Sequence, residues 1–219
     1  MNVLILGATG MVGSEVLNYC LGSDQITHVL IIGRRSTGKT HSKLKEIEHE
    51  NFLDFSVLKN ELEKMDVVYY CLGVYQNKVS KENFWKITVD YQAALIKELK
   101  NDITFCLFGA QGADQKERSP FLFAKAKGRA ERLLIESTLT RKYIFRPGFI
   151  NPDNGFRNDI WIKLFQPIYK LFPFIGVDAS HLGKVIAQVG ITPLGHESLG
   201  WLPRTRARAR GVPVTGKGL

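Results

Sequence analysis

Seven residues near the start of the chain, Gly7-Ala8-Thr9-Gly10-Met11-Val12-Gly13, constrain its fold more than any other feature. They follow a short apolar run, Val3–Leu6, and open a segment in which Val12, Val16, Tyr19 and Cys20 recur at helical spacing. A strand, a glycine turn and a helix in that order make a diphosphate site. The turn must be tight, the backbone must be free of Cβ atoms, and the helix N-terminus must point at the anion. Gly7 suits the turn, Gly10 the close approach, and Gly13 the packing of helix on strand. A glycine turn with a purely structural role is the alternative.

The rest of the chain repeats the alternation. Val29–Ile32, Val67–Leu72, Ile103–Phe108 and Tyr143–Phe145 read as strands, the last ended by Arg146-Pro147-Gly148. Helical patterns lie between them, from about Lys81 to Lys100 and from Ser119-Pro120 to about Leu139, with a last one over Asp178–Val189. Alternating strands and helices predict an α/β fold, a Rossmann-type doubly wound parallel sheet in a single domain. That domain is expected to span residues 1–202 and to carry a small C-terminal helical or lid region at 151–190. There Trp161, Leu164, Phe165, Ile168, Leu171 and Phe172 repeat near helical spacing. Core packing, a lid, a dimer face and a membrane-surface helix all produce such a pattern.

The formal charge of +9 raises the question of nucleic acid, but it is unevenly placed. Residues 203–219 hold Arg204, Arg206, Arg208, Arg210 and Lys217 and no acid, and without those five the charge is +4. This basic tail is expected to be disordered or a cloning-derived extension, and nucleic acid is not an expected partner. Three cysteines without regular spacing do not suggest a disulfide framework. No metal site is expected. No apolar run has the length of a membrane span, and the first ten residues lack the basic segment of a secretion signal. These features lead to the expectation of a cytoplasmic protein.

The end of the second strand bears on which dinucleotide is bound. An NAD site places an acid about 20 residues past the glycines, on the ribose 2′-hydroxyl. Here the place is taken by Gly33-Arg34-Arg35. Guanidinium groups there would pair with a 2′-phosphate, so NADP(H) is the expected cofactor and NAD(H) the second candidate. The plain alternative is that both arginines are solvated loop residues. Residues Gly33 to Thr40 also satisfy the P-loop pattern of nucleotide triphosphatases. That pattern needs a substantial helix after it and a strand ending in an Asp for magnesium. His41-Ser42-Lys43-Leu44 shows little of a helix, and Asp66 precedes its strand. A P-loop hydrolase is the third and least favoured reading.

The glycine motif, Gly33-Arg34-Arg35, Cys71-Leu72-Gly73, Lys127-Gly128-Arg129-Ala130-Glu131 and Arg146-Pro147-Gly148 occur in one order. In that order they resemble the atypical short-chain dehydrogenase/reductase family, in the branch of the Tat-interactive-protein oxidoreductase-like proteins. The resemblance covers roughly Met1–Val189. It implies that Thr9, Gly10, Met11 and Val12 wrap the diphosphate and that Arg34, with Arg35 beside it, meets the 2′-phosphate. It further implies that Asn51 and Phe52 flank the adenine, with Asn51 where many relatives carry Asp. Cys71, Leu72, Gly73 and Val74 would pass beneath the ribose, Lys127 would bond the nicotinamide ribose, and Pro147, Gly148 and Phe149 would touch the carboxamide. Read alone, Lys127 has the plain alternative of a solvated helix residue.

One departure from the family matters most. Its reductases take their proton from a Tyr four residues before the Lys, assisted by a Ser at a strand end. Here those places hold Phe123 and Phe108-Gly109-Ala110-Gln111, none with a hydroxyl. The expectation is an NADP(H)-binding protein of oxidoreductase ancestry without the usual Ser/Tyr pair, able to act as a redox-sensing or binding protein. The alternative is a reductase with another proton donor, for which Tyr75 is the candidate. Its small-molecule substrate or protein partner is not specified by the sequence.

Overall fold

The computed structural model describes residues 1–151 and 176–192. The apolar pattern at Trp161–Phe172 and the basic tail at 203–219 lie outside the described residues.

Six parallel strands form the central sheet in the order β3-β2-β1-β4-β5-β6. They are β1 (Asn2–Leu6), β2 (His28–Gly33), β3 (Leu44–Glu48), β4 (Val67–Tyr70), β5 (Thr104–Phe108) and β6 (Arg141–Phe145). The order reverses between β1 and β4, so the loops leaving those two strands diverge to opposite faces and open a crevice. Val3–Leu6 and Val67–Tyr70 are buried throughout, which explains why these strands read as unbroken apolar runs rather than alternations.

Helices cover both faces. α1 (Met11–Gly22) packs with the last helix, α6 (Ala179–Ile191), on one face, where Gly183 lies so close to Glu15 that a Cβ would stand 2.5 Å from that side chain. The Tyr69 hydroxyl donates to the Ala187 carbonyl at 2.7 Å, tying β4 to the same helix. The other face carries α2 (Lys59–Leu62), a continuous helix from Lys81 to Glu98, and α5 (Leu122–Glu136). The Lys81–Glu98 helix consists of α3 (Lys81–Trp85), a π-helical turn (Lys86–Asp90) and α4 (Tyr91–Glu98). A short parallel pair, β7 (Phe149–Asn151) and β8 (Gly176–Asp178), stands apart from the main sheet.

Three local readings need correction. The segment after Thr40 is not a poor helix but the edge strand β3, whose polar sequence Leu-Lys-Glu-Ile-Glu reflects an edge open to solvent. The strand expected over Val67–Leu72 ends at Tyr70, because the chain turns at Cys71 to pass Gly7. Finally, α5 starts at Leu122 rather than at Pro120; the Ser119 hydroxyl instead accepts from the Phe121 N–H at 3.2 Å, and the Asp114 carboxylate accepts from the Ser119 N–H at 2.6 Å.

Candidate dinucleotide site

Because all six strands run the same way, every loop leaving a strand's C-terminal end opens on one edge of the sheet. The glycine turn follows β1, Arg34 and Arg35 follow β2, Asn51 and Phe52 follow β3, Cys71–Val74 follow β4, and Pro147–Phe149 follow β6. Topology thus gathers what the sequence scatters.

The glycine turn has the geometry a diphosphate requires. Gly7 adopts φ +81°, a conformation costly for any residue with a Cβ, and such a Cβ would lie 2.5 Å from the Cys71 carbonyl. The Gly10 N–H donates back to the Gly7 carbonyl at 2.9 Å, closing the turn. Gly10 is the N-cap of α1 and supplies no side-chain cap, so the first-turn N–H groups are left for a ligand. Gly13 fits only as glycine, since a Cβ there would sit 2.1 Å from the Gly7 oxygen. Thr9 is exposed, Met11 is half-buried, and Val12 is a core residue beneath them. The bare, cap-free cradle fits a dinucleotide diphosphate.

Past β2, Arg34 and Arg35 are both exposed. The edge strand brings Glu46 and Glu48 level with Ile31 and Gly33, acids that sequence spacing missed because β3 itself was not recognised. Glu46 is engaged: the Thr37 N–H donates to its Oε1 at 3.0 Å, and the Ser36 and Thr37 hydroxyls bond it too. Burial pushes this carboxyl up, but those hydrogen bonds outweigh it and hold the group below its usual range. In the same loop Lys39 does not serve a phosphate cradle. Its Nζ donates to Asn18 Oδ1 at 3.0 Å on the side of α1, and the following strand replaces the helix a P-loop needs.

Phe52 is corrected. Its ring is 2% exposed and packs 5.6 Å from Phe55 and 5.3 Å from Tyr91, in the core rather than against a base. Asn51 remains exposed at this edge. Cys71, Leu72 and Val74 are half-buried and Gly73 exposed. Burial raises the Cys71 thiol to about 12 despite the opposing charge of Lys127, so it is an inert thiol at neutral pH.

Lys127 stands on α5, lining one small pocket with Leu72, Gly109 and Tyr70. Burial pushes its ammonium below the usual lysine range, with Glu131 and then Cys71 acting against the shift. One turn earlier, the Phe123 ring stacks on Phe84 at 6.3 Å between centroids. The stretch at the end of β5 offers no hydroxyl: the Gly109 N–H is bonded to the Phe145 carbonyl at 2.8 Å and the Gln111 N–H to the Pro147 carbonyl at 2.9 Å. Those bonds hold the Arg146-Pro147-Gly148 turn, as does the Gln111 side chain, whose Oε1 would lie 2.6 Å from any Cβ at Gly148. Pro147 is half-buried, and Phe149 begins β7.

With this geometry in view, residues 3–134 match the NAD dependent epimerase/dehydratase family. The chain belongs to that family. Its relatives include Protein FMP52, mitochondrial, of Candida albicans, 31% identical over 87% of this chain and 90% of that protein. Protein HTATIP2 of Rattus norvegicus is 30% identical over 68% of this chain and 62% of its own length. Among solved structures, a short-chain dehydrogenase/reductase of Saccharomyces cerevisiae aligns with TM-score 0.66 at 15% identity, covering 89% of this chain and 91% of that one. The Bordetella bronchiseptica enzyme WbmH in complex with NAD+ aligns with TM-score 0.68 at 16% identity, over 89% and 73% of the two chains. At such identities the likeness is one of fold. The resemblance and the parallel Rossmann architecture expected from the sequence are borne out, and so is a dinucleotide-binding family. The cytoplasmic expectation is overturned: FMP52 relatives from several yeasts carry the word mitochondrial in their names. No helix among the described residues is long and apolar enough to cross a membrane.

Proposed function

We propose that the chain is an NADP(H)-binding oxidoreductase-family protein in which the usual proton donor has been lost, so that cofactor binding outlives efficient carbonyl reduction. The observation that carries the reading is Phe123, one turn before Lys127, stacked on Phe84. Phenylalanine has no proton to give, and its ring occupies the surface from which a tyrosine hydroxyl would reach out.

A nicotinamide cofactor supplies hydride transfer when bound; the chain's own residues bind it and orient it. Gly7, Gly10 and Gly13 shape the turn that receives the diphosphate. Arg34 and Arg35 meet the 2′-phosphate, and the commitment of Glu46 to Ser36 and Thr37 keeps that carboxylate from the ribose. Asn51 flanks the adenine. Lys127 donates to the nicotinamide ribose, with Cys71–Val74 below it and Pro147–Phe149 beside the carboxamide. Such a protein reports the ratio of reduced to oxidised cofactor by what it binds, a redox-sensing role. The names of the FMP52 relatives support a mitochondrial setting for it.

Two measurements test this. Fluorescence titration should show tighter binding of NADPH than of NADH, and NADPH consumption over a panel of aldehydes and quinones should stay near background. Equal affinities would sink the NADP assignment, and robust turnover would sink the loss of the donor.

A further inference from the structure

We infer that Tyr70 and Gln92 hold a single buried water whose other partner is the Lys127 side chain, which makes both of them positioning residues for that lysine. Tyr70 is 2% exposed and Gln92 fully buried, yet neither the Tyr70 hydroxyl nor Gln92 Oε1 has a hydrogen-bond partner among the described residues. The amide is not free to turn away. Gln92 Nε2 donates to the Ala130 carbonyl at 2.8 Å, which fixes Oε1 as the end left without a partner. A buried polar atom left unmade costs about 1–3 kcal/mol, and native proteins keep few of them. Both residues line one pocket, together with Thr88 and Lys127.

That pocket measures about 10 Å³, close to the least space that holds one water. Its donors and acceptors select the occupant. Lys127 Nζ only donates, Gln92 Oε1 only accepts, and a phenol does either. An anion would face Gln92 Oε1, and a cation would face the Lys127 ammonium. A neutral molecule that both donates and accepts satisfies all three groups: water accepts from Lys127 and Tyr70 and donates to Gln92.

The π-helical turn at Lys86–Asp90 contributes Thr88 to the pocket and leads into Tyr91 and Gln92. The other groups facing Lys127 are Glu131 on its own helix and Cys71 beyond β4. Tyr91 faces Tyr70 from α4, and Arg146, just past β6, pairs with Glu131. With Glu131 already paired to Arg146, neutral dipoles share in solvating the lysine. The link from this water to cofactor binding rests on the reading of Lys127 given above; the water site itself does not.

A high-resolution crystal structure of the full chain should show an ordered solvent peak within hydrogen-bond distance of Tyr70 Oη, Gln92 Oε1 and Lys127 Nζ. NMR of protein labelled at lysine Cε should show Lys127 titrating at least about half a pH unit lower in Tyr70→Phe, because an ammonium stripped of its water loses its proton more easily. In the same variant the alkaline loss of NADPH affinity should begin at correspondingly lower pH. Absence of the solvent peak overturns the site, and a Tyr70→Phe protein that melts higher does so too, since removing an orphaned hydroxyl should stabilise. A peak with an unmoved Lys127 titration overturns the positioning role. Failure of the unmodified protein to bind NADPH would instead strike the functional reading and leave the crystal and NMR results to decide on the water.

Discussion

The Arg146 guanidinium reaches from the end of β6 onto the Glu131 carboxylate of α5, with Nε 2.8 Å from Oε1 and a second bond from Nη2 to Oε2. Glu131 is fully buried, and Gln115 Nε2 adds a third bond to it at 3.0 Å. The pair ties the Arg146-Pro147-Gly148 turn to the helix that carries Lys127. Removing one partner of such a pair strands a charge out of water. Arg146→Met should therefore cost about 3–5 kcal/mol, read as the midpoint of urea unfolding. Arg146→Met with Glu131→Leu should recover most of that loss. A single variant as stable as the unmodified protein would show that the carboxylate finds water or another partner.

Replacing Arg34 and Arg35 by Ala should cut NADPH affinity about ten- to a hundredfold, the worth of a charge-assisted contact of about 1.5–3 kcal/mol. NADH affinity should hardly move. Paired titrations with the two cofactors measure the difference directly; an equal fall for both would mean that the arginines act on the diphosphate instead.

The glycine turn allows a test that separates folding from binding. At Gly10 a Cβ would meet only the Gly7 oxygen, at 3.2 Å, whereas at Gly13 it would strike that atom at 2.1 Å. Gly10→Val should thus fold, by circular dichroism, yet fail to bind either dinucleotide. Gly13→Ala should lose stability with or without ligand. A Gly10→Val protein that still binds would remove the turn from the cofactor site.

Lys39→Ala should leave dinucleotide binding intact, because Lys39 bonds Asn18 on α1 and a strand, not a helix, follows its loop. ATP should be neither hydrolysed nor able to raise the melting temperature. Magnesium-dependent turnover lost in the variant would restore the P-loop reading.

A positioned general acid contributes about 10²–10⁴-fold to a rate, so Phe123→Tyr is the variant with most to gain. It returns a hydroxyl to the face of α5 that also carries Lys127, one turn away. NADPH consumption should rise above background, and further with Ala110→Ser. Should the unmodified protein already turn over briskly, Tyr75→Phe is the next substitution, since Tyr75 is exposed just past Val74.

What could be read from the sequence was what depends on near neighbours. The glycine turn, the apolar runs of β1, β4 and β5 and the helical spacing of α1 each carry their signal within a dozen residues. The edge strand β3 was missed because a strand with a solvent edge needs no apolar run. Phe52 was misassigned because nothing local distinguishes a ring that stacks on a base from one that drops into the core against Tyr91. The Glu131–Arg146 pair spans two elements, and the Tyr70–Gln92 pocket joins a strand to a helix; neither leaves a pattern in the linear order. Both follow only once the crossover from β4 to β5 has packed the helices.

The single direction of the sheet also has a practical side. Its opposite rim, where Met1 bonds the Gln25 carbonyl at 2.9 Å and Thr140 the Asn101 carbonyl at 2.8 Å, lies one strand length from the cradle. For five residues that is about 16 Å, ample clearance for a dye or a surface linker. A fluorophore at the exposed Asp24 or Asp102 would leave the nucleotide-facing rim untouched. Immobilised by that far rim, the protein would present every cofactor-facing loop to the solution, a natural orientation for a sensor surface.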